Sequence, residues 1–261
     1  MEIKFSKYQG TGNDFVVVDN RNGEYDNLTQ PEIKNICDRK FGIGADGLML
    51  LNKKDGFDFE MKYFNADGRE GTFCGNGSRC IIKFACDCGI KKDNYVFMAA
   101  DGEHEAKLDL NGVVSIKMKD VDKIELYHSD FILNTGSPHF LRLVPDVMHL
   151  DVFKKGKEIR NSPDFVKDGI NVNFVEQLTE PDKIIVRTYE RGVENETLSC
   201  GTGVTAAALV CYHNENGFNE VEVQTLGGFL NVEFDRTPDG SFKNIWLCGP
   251  AEKVFDGTIS I

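Results

Sequence analysis

A four-residue motif that occurs twice constrains this chain more than any other feature. Cys74-Gly75-Asn76-Gly77 returns as Cys200-Gly201-Thr202-Gly203, an offset of 126 residues (200 − 74). Each copy leads into a helix-like apolar segment, with Ile81, Ile82 and Ala85 after the first and Val204, Ala208 and Cys211 after the second. Two further echoes follow in the same order. Gly12-Asn13-Asp14-Phe15 is answered by Gly136-Ser137-Pro138-His139-Phe140 at an offset of 124, and Tyr63-Phe64-Asn65-Ala66-Asp67-Gly68 by Tyr189-Glu190-Arg191-Gly192 at 126. Three ordered matches at close to half of 261 residues point to an internal duplication. The expectation is two similar halves that meet near residue 120.

Within each half, strand signals dominate. Met1–Tyr8 alternates apolar and polar residues and reads as a first strand. Residues 15–18, 47–51, 60–64 and 95–98 are strand-like in the first half, and 183–189 and 229–234 in the second. Helical signals are fewer. Thr29-Gln30-Pro31-Glu32 has the form of a capping box with proline in the first turn. Asn76 to Asp87 reads as a helix stopped near Gly89, and Thr202 to Asn216 as one stopped near Gly217. The fold class predicted is α+β: two pseudosymmetric halves, each a strand-rich mixed sheet or barrel wrapped around a central helix.

Thirty Lys and Arg against 42 Asp and Glu give a net charge of −12, a field that repels polyanions. The pairs Lys53-Lys54, Lys91-Lys92 and Lys154-Lys155 are isolated and read as solvated loop ends rather than a phosphate track, so no nucleic-acid partner is expected. No apolar run approaches the length of about 20 residues that spans a bilayer, and the first residues lack a secretory apolar block, so no membrane partner and a cytoplasmic location are expected. The eight cysteines are too sparse for a disulfide scaffold. Cys37, Cys211 and Cys248 sit among apolar neighbours and read as core. Cys80, Cys86 and Cys88 imitate metal spacing, but Cys80 and Cys86 fall on the predicted helix and no Cys/His pair follows at zinc-finger distance, so no metal is expected.

The two Cys-Gly-x-Gly segments carry the chemistry. The first N–H groups of a helix have no intrahelical partner, and such ends bind anions. A carboxylate is expected on the amides of Gly75, Asn76, Gly201 and Thr202, with glycine at the second and fourth positions letting the backbone pass close to a small ligand. The same partial positive charge favours thiolate over thiol, so each cysteine is suited to act as a base at neutral pH. If duplicated halves bring equivalent helix starts face to face, two sulfurs flank one bound carboxylate, which is the arrangement a racemase needs. One group removes the α-proton and another delivers a proton to the opposite face. The two thiols would titrate as a coupled pair.

Taken together, Gly12-Asn13-Asp14-Phe15, Phe64-Asn65-Ala66-Asp67-Gly68, Cys74-Gly75-Asn76-Gly77-Ser78-Arg79-Cys80, Pro138-His139, Tyr189-Glu190-Arg191-Gly192 and Cys200-Gly201-Thr202-Gly203 resemble the diaminopimelate epimerase family, in the family's order. The resemblance implies interconversion of LL- and meso-diaminopimelate on the route to lysine and peptidoglycan, with no cofactor, neither pyridoxal phosphate nor metal. It makes Cys74 and Cys200 the two bases. It gives Asn13, Asn65, Asn171, Glu190 and Arg191 to substrate binding, with Asn76 and Thr202 beneath the reacting carboxylate; His139, after Ser137-Pro138, reads either as a near-site residue that orients a catalytic group or as a cap of its loop. It also implies a homodimer, a substrate cleft between the halves (1–120 and 121–252), and a final strand at 253–261 returning to the first. Asp14 and Asp67 read as turn residues. Two positions depart from the pattern: Ser137 stands where many members have Asn, and Gly47 where many have Gln.

Physical chemistry is compatible with the clamp. Arg191 presents a planar fork to a distal carboxylate, Glu190 can pair with an ammonium, and the Asn amides donate and accept at fixed geometry. Related cofactor-independent enzymes are the nearest rivals. A proline racemase needs no distal clamp of the Asn171, Glu190 and Arg191 kind, and the phenazine-pathway isomerases do not keep the paired thiols. A redox carrier using Cys74 and Cys200 lacks a local Cys-x-x-Cys pair, and a non-catalytic amino-acid-binding module would not need the sulfurs.

Overall fold

The computed structural model describes residues 1–71 and 73–261. The chain divides into two compact units, Met1–Ile116 with Gly249–Ile261, and Lys117–Cys248. Its first stretch carries β1 (Glu2–Gly10), β2 (Asn13–Asp19), α1 (Gln30–Cys37), β3 (Gly47–Asn52), β4 (Glu60–Asn65), α2 (Gly75–Asp87), β5 (Asn94–Ala99), β6 (Gly102–Leu108) and β7 (Val114–Lys117). There follow β8 (Glu125–Tyr127), β9 (Asp130–Asn134), β10 (Pro138–Leu143), α3 (Val152–Arg160), β11 (Asn171–Gln177), β12 (Lys183–Glu190), β13 (Asn195–Thr197), α4 (Gly201–Val210), β14 (Gly217–Thr225), β15 (Gly228–Arg236) and β16 (Phe242–Gly249). The last strand, β17 (Glu252–Ser260), pairs antiparallel with β1.

Both units use one strand plan. From β17 through β1, β2, β3, β4, β5 and β6 to β7, successive pairs are antiparallel, antiparallel, parallel, antiparallel, parallel, antiparallel and antiparallel. From β8 through β9, β10, β11, β12, β14 and β15 to β16 the same series repeats. Parallel neighbours need a crossover, and the helices supply it: α1 and α3 cover the first parallel step of their units, α2 and α4 the second. The register also refines the repeat. With Gly12 and Gly136 as anchors, Phe15 lies opposite Gly47 where His139 lies opposite Asn171. One strand on, Leu48 faces Phe64 and Val172 faces Tyr189. The counterpart of Tyr189 is therefore Phe64, one residue beyond the Tyr63 suggested by the sequence echo.

The apolar runs follow from double-sided burial. Val16 and Val18 pack toward α1 with Ile33 and Ile36, whereas Phe15 and Met49 meet α2 at Gly77, so β2 and β3 have no solvent face to mark with polar residues. The central helices are buried along most of their length. In α4, Val204 and Ala206 to Leu209 are all inaccessible to solvent, as befits a helix apolar on every side. Capping of α1 comes from Glu32, whose carboxylate accepts from both the N–H and the hydroxyl of Thr29 at 2.7 Å.

Two helical expectations need correction. The helix opened by Cys200 ends at Val210, well before Gly217. Cys211 N–H closes on the carbonyls of Ala207 and Ala208, and Asn219 then holds a turn through Asn214 N–H at 2.8 Å, so Gly217, at φ +86°, starts a strand instead of stopping a helix. Helix α3 carries Lys154-Lys155, read from sequence as a loop end. Its start is set by Asp151, whose carboxylate accepts from Lys154 N–H at 3.0 Å. Gly156 in its middle, which weakens the helical signal, is required: a Cβ there would lie 2.3 Å from Tyr189 Cβ. No helix among the described residues is long and apolar enough to cross a membrane.

Candidate active site

In the first unit, the β1–β2 turn, with Thr11 at φ 50° and Gly12 at φ 84°, delivers Asn13 at the start of β2. Cys74 is the N-cap of α2, extended at φ −135° and ψ 114°, and its sulfur accepts from Gly77 N–H at 3.4 Å. The thiol lies 3.7 Å from Asn13 Oδ1, which also accepts from Asn76 Nδ2 at 3.4 Å. The direction of the Asn13 amide is fixed from behind. Its Nδ2 donates to Asp46 Oδ2 at 2.5 Å, and a carboxylate only accepts, so the oxygen must face Cys74 and Asn76. Asp46 is held in turn by Arg39 at 2.8 Å.

Asp14 belongs to this network and is not the turn residue expected. It pairs with Lys7 at 2.7 Å and accepts two bonds from Arg39 at 3.0 and 2.7 Å. Burial pushes its carboxyl up, but Arg39 and Lys7 more than offset that and hold it well below the usual range. Asp67 does cap its own turn, accepting from Arg69 N–H at 2.9 Å. Asn65, exposed at the end of β4, is fixed by its backbone, which pairs with Arg69 O and Gly68 N–H at 2.9 Å each.

In the second unit, Cys200 is the N-cap of α4, extended at φ −117° and ψ 109°, with its sulfur 3.5 Å from Thr202 Oγ1. Thr135 Oγ1 donates to Thr202 O at 2.8 Å and ties the helix start to β9. Asn171, Ser137 and Arg191 form one cluster. Asn171 Nδ2 donates to Ser137 Oγ at 2.8 Å and Pro138 O at 3.0 Å, while its Oδ1 accepts from Arg191 N–H at 2.9 Å. Arg191 Nη2 reaches Ser137 Oγ at 3.3 Å, so serine at this position still touches the guanidinium. Asn171 thus acts on its neighbours with both ends of its amide. Glu190 accepts from Thr197 Oγ1 at 2.9 Å.

His139 is fully buried beneath the start of α4, its Cε1 3.4 Å from where a Gly203 Cβ would stand. Burial pushes its pKa down from 6.5 to about 3, helped by the Arg191 charge, so the ring is neutral at pH 7. Asn173 donates to Phe140 O and to His139 Nδ1, both at 3.0 Å, and accepts from Thr188 Oγ1 at 2.9 Å. Its NH2 group therefore faces the ring, Nδ1 accepts, and the ring proton sits on Nε2, which has no partner among the described residues.

Packing demands glycine at the fourth position of the second motif and only crowds it in the first. A Cβ on Gly203 would stand 2.3 Å from Asn173 Oδ1, and one on Gly77 would meet Met49 Sδ at 3.2 Å. Asp46, Arg39 and Lys7 in one unit, and Asn173 and Thr188 in the other, support the site without any motif to announce them. Lys7, Asn173 and Thr188 reach it from neighbouring strands, Asp46 from the bend just before β3 and Arg39 from the turn after α1, contacts that no local pattern marks. Cys37, Cys80, Cys211 and Cys248 are buried, and burial pushes the thiols of Cys37 and Cys211 up to about 12.

Comparison with known proteins places this geometry. The family model for diaminopimelate epimerase matches residues 5–124 and 131–254. The chain belongs to the diaminopimelate epimerase family. A diaminopimelate epimerase of Flavobacterium psychrophilum is 44% identical over 258 residues, covering 98% of this chain and 100% of that protein. One from Chlorobaculum tepidum is 41% identical over 263 residues, covering 97% and 99%. Among solved structures, a phenazine biosynthesis protein of the PhzF family from Bacillus anthracis superposes with a TM-score of 0.75 at 16% identity over the whole of both chains. A hydroxyproline epimerase from Agrobacterium vitis, with bound trans-4-hydroxy-L-proline, gives 0.67 at 14% identity, covering 100% of this chain and 93% of that one. At such identities these two likenesses speak for the fold alone, an α+β fold of sheet-rich halves around helices.

Proposed function

We propose that this member of the family is an isomerase that interconverts LL- and meso-diaminopimelate, a step that supplies lysine and peptidoglycan precursors, with Cys74 and Cys200 as its two acid/base groups. The observation that carries the reading is the matched placement of the two cysteines. Each is the N-cap of the buried helix at the same point of a repeated strand plan, in a chain of this family.

The chemistry follows from what each helix start offers. A thiolate removes the α-proton, and the electron pair left behind delocalises into the adjacent carboxylate. N–H groups at the starts of α2 and α4, including those of Gly75, Asn76, Gly201 and Thr202, are the donors suited to that developing charge. The other cysteine, as thiol, then delivers its proton to the opposite face. No electron is gained or lost, and the two sulfurs end with their protonation exchanged. The route uses neither pyridoxal phosphate nor metal. Asn13, whose oxygen is aimed at Cys74, and Asn76 belong to the reacting end. Asn65, Glu190 and Arg191 are assigned to the non-reacting end, with Asn171 bracing Arg191. His139 is assigned to support beneath α4. The working form is taken to be a cytoplasmic homodimer; the exposed apolar Val254 and Phe255 of β17 favour a covered strand.

The direct test is incubation of the purified, reduced chain with LL-diaminopimelate and, separately, with L-proline, without added cofactor. Formation of the meso isomer with no racemisation of proline is the expected result. Proline turnover, or none with diaminopimelate, would remove the assignment.

A further inference from the structure

The ring of Tyr63 on β4 occupies a position that two glycines keep open. A Cβ on Gly71 would fall 2.6 Å from two of its ring carbons, and one on Gly47, across the β3–β4 ladder, would fall 2.5 Å from a third. Phe15 meets the ring edge to face at 6.1 Å between centroids. The phenol has one use for this fixed orientation that bears on ligand binding: its hydroxyl donates to Asn65 Oδ1 at 3.0 Å. The Nδ2 of Asn65 then lies alongside Gly71, 3.3 Å from where a Cβ would stand. With the backbone of Asn65 also held by Gly68 and Arg69, an exposed amide that would otherwise rotate freely is held at its oxygen.

We propose that Tyr63 is a positioning residue for substrate recognition: it holds the Asn65 amide oxygen so that the amide N–H groups present themselves to a carboxylate of the bound amino acid. The proposal rests on the functional reading above and deepens it, because it names what orients one arm of the clamp. It also gives the bare Gly47 a role, since any side chain there would meet this ring and the Phe64 carbonyl, itself 2.5 Å from the Cβ position.

The test is a double-mutant cycle in the full chain, with LL-diaminopimelate as the probe and KM and kcat measured separately. Tyr63→Phe keeps the ring and removes the hydroxyl. It is expected to raise KM about threefold to tenfold, the range of one neutral hydrogen bond, with kcat within about twofold of wild type. In an Asn65→Ala background the same change should raise KM no further, a coupling that a merely structural role would not produce. Gly71→Ala, which forces the ring aside, should raise KM at least as much as Tyr63→Phe. KM increases that multiply in the double variant, a fall in kcat at constant KM, or wild-type KM in Gly71→Ala would overturn the proposal while leaving the function intact. Absence of wild-type turnover would remove both.

Discussion

Gly203 and Gly77 hold the same place in their motifs but face different neighbours, so the same substitution should have unequal costs. Built onto Gly203, a Cβ lies 2.3 Å from the Oδ1 of Asn173, a residue with no solvent exposure. Ordinary contact requires a retreat of about 1 Å. Asn173 cannot retreat alone, because it bonds Thr188 at 2.9 Å and Phe140 O and His139 at 3.0 Å. Overpacking costs about 1–3 kcal/mol and each buried hydrogen bond lost about 1 kcal/mol more, against a helix-propensity gain of up to about 1 kcal/mol for alanine. Gly203→Ala should therefore destabilise by about 2–4 kcal/mol. Gly77→Ala meets only the flexible Met49 sulfur at 3.2 Å, then Cys74 Cβ and Phe15 Cζ at 3.4 Å, and should stay within about 1 kcal/mol of wild type. Urea unfolding followed by circular dichroism reads both as shifts in midpoint at unchanged slope. Equal shifts, or a larger one for Gly77→Ala, would refute the packing argument.

Other consequences concern charge and the clamp. Neutral burial of His139 lowers its pKa in the folded state to about 3, so the unfolded chain binds the extra proton first. Its contribution is complete above about pH 6.5 and is lost as pH falls toward 3, at up to about 1.4 kcal/mol per unit. His139→Gln should flatten the fall in unfolding free energy across that window, and an unchanged slope would exclude His139 as its source. Asp46→Ala frees the Asn13 amide and should raise KM and lower kcat, whereas Asp46→Asn can still accept from Asn13 Nδ2 and should recover most activity; equal losses would contradict the orienting role. Arg191→Ala should raise KM for LL-diaminopimelate by at least about 30-fold, corresponding to roughly 2 kcal/mol or more for a charged partner left unpaired, and unchanged KM would remove it from the clamp.

What the sequence disclosed was whatever local chemistry writes locally. The repeated Cys-Gly-x-Gly located both helix starts, and Gly89, at φ +95°, marked the end of α2. Runs such as residues 15–18 and 47–51 were legible as strands because burial on both faces leaves no polar alternation to confuse them. Strands such as β6, mostly accessible apart from Ala106, offered no such run. The extent of α4 was misread because the helix closes at Cys211, whose N–H turns back onto Ala207 and Ala208, and Asn219 then holds a separate turn at Asn214, with no glycine or proline to mark the stop before Gly217. Within the site, the cysteines and the Asn, Glu and Arg candidates stood in motifs. Their supports did not: Asp46 lies 32 residues or more from the Asn13–Asp14 pair it serves, and Asn173 lies 34 from His139, distances that only parallel strand register closes.

The central claim is that Cys74 and Cys200 each serve one face of the same reaction, and deuterium oxide tests it most directly. Wild-type chain incubated there with LL-diaminopimelate should place solvent deuterium at one α-carbon as the meso isomer forms. Cys74→Ser and Cys200→Ser should each slow epimerisation by at least about 100-fold, the usual worth of a positioned acid or base, with melting temperature unchanged. Epimerisation at close to the wild-type rate in either single variant would contradict the account.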